Sequence, residues 1–276
     1  MKKIKLSYSN EYNAGDLLNI GLVEKLGECR VERSKVYNAD LLAIGGAIFG
    51  AQYSNNLSRK ICQKALELLY GNKPLFIWGS GFLYSNNENE LYRKNLHVCA
   101  LRGDLTRQKL AGLTGQSYEN VPLADAGLLV DLLLTNEVEK KYRIGVVPHF
   151  SQKNDPIFDR VYSDEHYHFI DIQRDPKSVA EDIASCEYIV SSSLHGLVFA
   201  DSLHVPSLHL IGKTPLHGGI FKYEDYYSAY GLEDTPWTNS EELPTVNDII
   251  DGCKIDYNIV EEKKKLLVDS FPRFEE

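Results

Sequence analysis

Short apolar runs alternate with helix-spaced segments along almost the whole chain, and that alternation confines the fold to α/β layers around mainly parallel sheets. In the first half Ile4–Tyr8, Leu41–Ile44, Leu75–Trp78 and Leu96–Leu101 read as strands, with helices over Leu17–Leu26, Leu57–Tyr70 and Leu105–Ala111. The polar stretch Thr135–Lys141, T-N-E-V-E-K-K, breaks the pattern and reads as an interdomain linker. The alternation then restarts, with strands over Arg143–Val147, Tyr167–Ile172, Tyr188–Val190 and Ser207–Ile211 and helices from Pro176 to Ser185 and from Leu194 to Leu203. Gly212–Trp237, rich in Gly, Tyr and charge, reads as a long loop region with little regular structure, and Val260–Val268 as a closing helix. Two domains are expected, 1–138 and 139–276, their sheets facing each other across a cleft, with the final helix free to pack back on the first domain.

With 276 residues, 43% of them hydrophobic, the chain can fill such cores. A net charge of -9 and a pI near 5.4 leave no cationic stripe for nucleic acid, so an anionic substrate must be held by local cations. Cys29, Cys62, Cys99, Cys186 and Cys253 are an odd set without C-x-x-C spacing. They argue against a disulfide framework and a zinc site, and fit a reducing cytoplasm. The opening M-K-K-I-K-L-S-Y-S-N is no signal peptide and no apolar run has transmembrane length, so any membrane contact is expected to be peripheral.

The run Glu187–Pro206, E-Y-I-V-S-S-S-L-H-G-L-V-F-A-D-S-L-H-V-P, sets His195 in the first turn of an amphipathic helix that follows a buried strand. Ser191, Ser192 and Ser193 offer hydroxyls to the first free amides. Orphan N–H groups and the positive end of the helix dipole suit a phosphate or carboxylate there. A histidine in that place can give a proton to the ligand, or it can simply hydrogen-bond a neighbouring loop in a capped helix.

Other candidates lie at strand carboxyl ends, where open α/β sheets bind ligands. Arg102, in L-R-G-D-L-T-R with Asp104 as helix cap, suits a bidentate grip on an anion, whereas Arg107 reads as a solvated or Asp-paired surface residue. Gly45 and Gly46, then Gly79, Ser80 and Gly81, follow two strands as a cleft floor, without dinucleotide or phosphate-loop spacing. In N-A-G-D, Asn13 and Gly15 precede Asp16, which is either a helix cap or a partner for a sugar hydroxyl, while Gly15 permits close approach of a ligand. His149 in V-V-P-H, Arg174 in I-D-I-Q-R and Lys222 in the long loop can each reach the cleft or stay structural. His166 and His168 share a strand face with no Cys or carboxylate constellation, so no metal site is expected.

Taken in order, these motifs resemble the polysaccharide pyruvyl transferase family over nearly the whole length. N-x-G-D, the glycine pairs, R-G-x-L-T-R, the strand-end P-H, I-D-x-x-x-D-P, S-S-L-H-G and F-K-x-x-D-Y-Y all occur. The set is most similar to the branch that ketalises exopolysaccharide sugars. The resemblance implies two Rossmann-like domains arranged as in B-type glycosyltransferases, the first on the acceptor side and the second on the donor side. It implies phosphoenolpyruvate as co-substrate, no cofactor, no metal, and a sugar diol as acceptor, usually in a lipid-linked repeat unit at the cytoplasmic membrane face. His195 and Arg102 are then the catalytic candidates, and Asn13, Asp16, Gly46, Gly79, Ser80, Gly81, His149, Arg174, Ser192, Ser193 and Lys222 the substrate-binding ones. Many relatives carry an arginine where this chain has Ser193, so Arg102, Arg174 or Lys222 is expected to supply that charge; Asp125-Ala126-Gly127 stands where relatives often show Asp-Pro. A nucleotide-sugar glycosyltransferase of the same architecture and a non-catalytic sugar-binding protein are the alternatives, and the oligomeric state is left open.

Overall fold

Apolar runs too short for helices form two separate parallel sheets in the computed structural model, which describes residues 2–9, 11–216, 218–239 and 241–274. The first is built from β1 (Lys3–Ser7), β2 (Arg30–Arg33), β3 (Leu41–Leu42), β4 (Leu75–Ser80) and β5 (Leu96–Leu101), in the order β2-β1-β3-β4-β5. Its helices are α1 (Ala14–Gly27), α2 (Leu57–Tyr70) and α3 (Asp104–Thr114). The second sheet comprises β6 (Tyr142–Val147), β7 (Tyr167–Phe169), β8 (Cys186–Ser191) and β9 (Ser207–His209), in the order β7-β6-β8-β9. With it come α4 (Pro176–Ala184), α5 (Leu194–Ser202), α6 (Phe221–Ser228), α7 (Val246–Gly252) and α8 (Tyr257–Asp269). In each sheet the first strand in sequence lies inside, with the second on one side and the third on the other. The chain therefore reverses its winding direction between β1 and β3 and again between β6 and β8, and a crevice opens at the carboxyl ends of those pairs.

One apolar cluster runs through both halves. Leu18 and Leu22 of α1, Leu128 to Val130, Leu197 and Val198 of α5, and Val260 and Leu267 of α8 all belong to it. Truncating one such leucine to alanine costs about 2–5 kcal/mol. α8 lies against the first half: Trp78 Nε1 donates to the Leu267 carbonyl at 2.9 Å and Lys263 Nζ to the Leu123 carbonyl at 2.7 Å. The stretch 135–141 between the halves has no regular structure. Among the described residues no helix is long and apolar enough to cross a membrane.

Two expectations need correction, and one strand was not foreseen. α5 is not amphipathic: all nine of its residues are buried, and it runs between β8, β9, α4, α8 and the 3-10 segment Ala126–Leu133. Ala, Val, Leu and Phe on every side suit that position. The stretch Gly212–Trp237 is not a plain loop, because α6 forms inside it; His217 lies outside the described residues. Finally, β2 was not expected, since R-V-E-R is an edge strand whose charged side chains face water.

Candidate active site

The two crevices face each other across one cavity of about 370 Å³, a size suited to small metabolites. Ser7 and Tyr8 at the end of β1 and Gly45 and Gly46 after β3 form one wall. His149 after β6 and Ser193 to His195 after β8 form the other.

His195 is 8% exposed, on the first turn of α5. Its ring lies directly against Gly15 in the first turn of α1, where any Cβ would overlap Nδ1, Cγ and Cε1. Nε2 is buried and takes no hydrogen bond among the described residues. Burial, helped by Lys222, Arg102 and His149, pushes the imidazole down to about 3, so the ring is neutral at pH 7. No side chain caps α5. Ser191 Oγ instead accepts from Ser193 N at 3.0 Å and donates to the Val147 carbonyl at 2.9 Å, which leaves the Ser193 hydroxyl on the cavity wall.

The cations come from both halves. Arg102 is 1% exposed; its Nε donates to Asp225 Oδ2 at 2.7 Å and its Nη2 to the Phe82 carbonyl at 2.6 Å, leaving Nη1 without a hydrogen bond among the described residues. Asp225 belongs to α6 and also accepts from Thr106 N at 2.6 Å and Thr106 Oγ1 at 2.7 Å. It therefore caps α3, the role expected of Asp104, and the approach is close enough that a Cβ on Gly103 would collide with the Asp225 carbonyl. One turn earlier on α6, Lys222 enters the cavity. Burial and the neighbouring Arg102 push its ammonium down to about 8, with Asp16 partly opposing.

Asn13 is the cap of α1, its Oδ1 accepting from Gly15 N at 2.9 Å, so Asp16 is released from that duty and lines the cavity. Burial, then Glu11, raises its carboxyl to about 7, against the lowering pull of Lys222. His149 also reaches the cavity; its Nδ1 lies 2.8 Å from Ser151 Oγ, and burial followed by Lys222 pushes the ring down to about 4. The site thus sets the Arg102 guanidinium beside two groups, Asp16 and Lys222, that can exchange protons near neutral pH.

Asn13, Asp16, Gly46, Arg102, His149, Ser193, His195 and Lys222 all line this one cavity, and the other five candidates do not. Ser80 Oγ and Gly81 N both donate to the Gly45 carbonyl at 2.9 Å, which holds the cavity floor from below. Gly79, with φ of +73, lets Ala126 pack against its Cα. Ser192 accepts from His149 N at 2.9 Å through Oγ, and its carbonyl accepts from Tyr223 OH at 2.8 Å. Arg174 must be corrected outright: it is a surface residue paired with Asp182 on α4, so the charge opposite Ser193 is left to Arg102 and Lys222.

Sequence reasoning missed Asp225 and the support behind Ser192. His209 Nδ1 lies 2.9 Å from Asp234 Oδ2, and its ring stacks on Tyr223 at 3.9 Å, so a buried carboxylate, an imidazole and a phenol in series hold the turn before α5. The signal available for Asp225 was its spacing three residues after Lys222, one helical turn on the same face.

Over 243 residues the chain is 28% identical to an uncharacterized protein of Acanthamoeba polyphaga mimivirus, covering 84% of this chain and 76% of that one. It is 26% identical over 228 residues to the succinoglycan biosynthesis protein ExoV of Rhizobium meliloti (strain 1021), covering 83% of this chain and 65% of ExoV, a little under two thirds of that relative. Among solved structures it is similar to an uncharacterized Klebsiella pneumoniae protein, with a TM-score of 0.48, 13% identity, and 88% and 93% of the two chains covered. The ADP-heptose heptosyltransferase II of E. coli follows at a TM-score of 0.37 and 11% identity, covering 98% and 99%. Residues 2–213 match the polysaccharide pyruvyl transferase family, to which this chain belongs.

Proposed function

We propose that this chain transfers pyruvate from phosphoenolpyruvate to two hydroxyls of a sugar in a surface or exopolysaccharide repeat unit, forming a ketal. The observation that carries the reading is the convergence of Arg102, Lys222 and the uncapped start of α5 on the cavity that His195 and Asp16 also line. Phosphoenolpyruvate brings a carboxylate and a phosphate, and two cations with free amides suit both.

A proton delivered to the methylene carbon turns it into a methyl group and leaves positive charge on the neighbouring carbon. One sugar hydroxyl attacks that carbon, the bond to the phosphate oxygen breaks, and the second hydroxyl closes the ring. Of the two hydroxyl protons, one replaces the proton spent on the methyl group and the other leaves with phosphate, so the reaction involves no net oxidation or reduction. His195 is the donor to the methylene. Its neutral resting state is held by burial first and by Lys222 and Arg102 next, and the ligand's negative charge opposes those two cations and favours the protonated ring. Asp16, raised to about 7, receives a hydroxyl proton.

The decisive measurement is phosphate release with mass spectrometry over a panel of lipid-linked and synthetic glycosides. The expected product carries the added pyruvate minus water, and only when phosphoenolpyruvate and acceptor are both present. Transfer of a sugar from a nucleotide-sugar donor, or binding of glycosides without any mass change, would replace this reading.

A further inference from the structure

A second groove of about 510 Å³ opens beside the cavity, and Gly50 borders both. Two loops run from one into the other. The segment that supplies Gly45 and Gly46 to the cavity continues into Phe49, Gly50 and Gln52 of the groove, and the loop that supplies Leu83 to the cavity continues into Tyr84 and Asn87 of the groove. The groove is lined by amides, aromatic rings and one guanidinium, Arg59, with no carboxylate among its lining residues. Phe49, 36% exposed, meets Tyr84 edge-on with ring centroids 5.0 Å apart, so an apolar face is offered at the groove wall.

Gln52 gives the independent observation. It is 3% exposed, and its Nε2 donates to the Asn87 and Asn89 carbonyls at 2.9 Å each. Its Oε1 is buried with no hydrogen-bond partner among the described residues. Such an acceptor ordinarily has a donor. A ligand dense in hydroxyls and carrying C–H faces matches amide acceptors, amide donors and aromatic rings together; a free anion would not need the rings, and a lipid would not need the amides.

We propose that this groove binds the sugars that flank the modified one, so that the acceptor is recognised as an oligosaccharide and not as a single ring. This rests on the pyruvyl-transfer reading of the cavity. The cavity itself is filled by a three-carbon acid phosphate and one sugar, and the chain of sugars leaves it over Gly50, the residue that borders both spaces.

The test uses a printed array of bacterial surface oligosaccharides together with their component monosaccharides, probed with labelled protein in the presence and absence of phosphoenolpyruvate. Wild type retains oligosaccharides over the monosaccharides. F49A and R59A each lose about tenfold of that retention, while the rise in Tm caused by phosphoenolpyruvate stays at the wild-type value and certifies their folding. Arg59 is an exposed helix residue, so R59A carries the test if F49A fails to fold. Equal retention of monosaccharides, no retention of any oligosaccharide, or wild-type retention by folded groove variants overturns the proposal. Failure of phosphoenolpyruvate to raise the Tm of wild type strikes the donor reading alone; a cooperative thermal transition at the wild-type Tm then certifies the folding of the variants, and the array still judges the groove.

Discussion

The imidazole of His195 rests on the Cα of Gly15, so the first turn of α5 in one half touches the first turn of α1 in the other through a ring and a bare backbone. Gly15 was expected to admit a ligand; what it admits is the imidazole of His195. The contact fixes where Nε2 points, because the opposite edge of the ring has no room to turn.

Gly15→Ala tests that contact. The added methyl forces the ring or the helix to move, which costs about 1–3 kcal/mol as overpacking. A displacement on the order of 1 Å at the donor lowers turnover by about 100-fold. Urea unfolding and phosphate-release rates measured on the same preparation separate the two effects, and wild-type rates in G15A would remove His195 from the chemistry.

The parts legible in the sequence were those set by local pattern. Strands such as Leu96–Leu101 and helices such as Leu57–Tyr70 follow from apolar spacing and emerge with the same bounds. That His195 and Arg102 reach the cavity was readable because the start of a helix and the end of a strand are legible positions. α6 was not, because its apolar face is made of tyrosines and one phenylalanine among charges, a composition that reads as loop. Nor was the two-sided burial of α5, which depends on what packs around it. Arg174 followed the strand-end rule and still fell outside the cavity, since Asp182 one helix away holds it at the surface.

Arg102 and Asp225 should unfold together. Both are almost wholly buried, and removing either leaves the other charged in the interior without its partner. R102A and D225A are each expected to cost about 3–5 kcal/mol, and the double variant less than their sum, since the second change removes the orphan left by the first. Denaturant midpoints for the four proteins check this; additive losses would mean that the pair does not act as a unit. Loss of activity in R102A alone is therefore no evidence of an anion contact.

Phosphoenolpyruvate binding should take up protons. His195 sits at about 3, held there by burial first and by Lys222 and Arg102 next, and the ligand's charge opposes those two cations. Calorimetry in buffers of different ionisation enthalpy at pH near 7 reads the uptake directly. It should persist in D16N, where the neighbouring carboxyl no longer titrates, and fall in H195Q. No difference between H195Q and wild type would transfer the donor role to another group.

Lys222 sets the alkaline limit of binding. Its ammonium is pushed down to about 8, so the cation that faces the ligand is lost as pH rises through that value. Affinity for phosphoenolpyruvate should fall by about tenfold for each pH unit above it, in the simplest case of one essential charge. K222R keeps a guanidinium charged throughout this range and should extend binding to higher pH. A wild-type profile that stays flat past pH 9 or so would place Lys222 outside the binding step.

Asp16 should trade stability for chemistry in a pH-dependent way. Its folded value of about 7 lies above the ordinary 3.8, so folding favours the protonated form. That contribution is complete below the unfolded value and is lost as pH rises through the folded one. D16N has no carboxylate to bury, so above about pH 7 it should be more stable than wild type, by on the order of a few kcal/mol given about 1.4 kcal/mol per tenfold in the proton equilibrium. The gap should narrow steadily as pH falls toward about 4, while turnover of D16N stays low throughout. Thermal unfolding of both proteins across that range decides it: a gap that does not change with pH would mean an ordinary, solvated carboxylate, one too weakly basic at neutral pH to take a proton from a sugar hydroxyl.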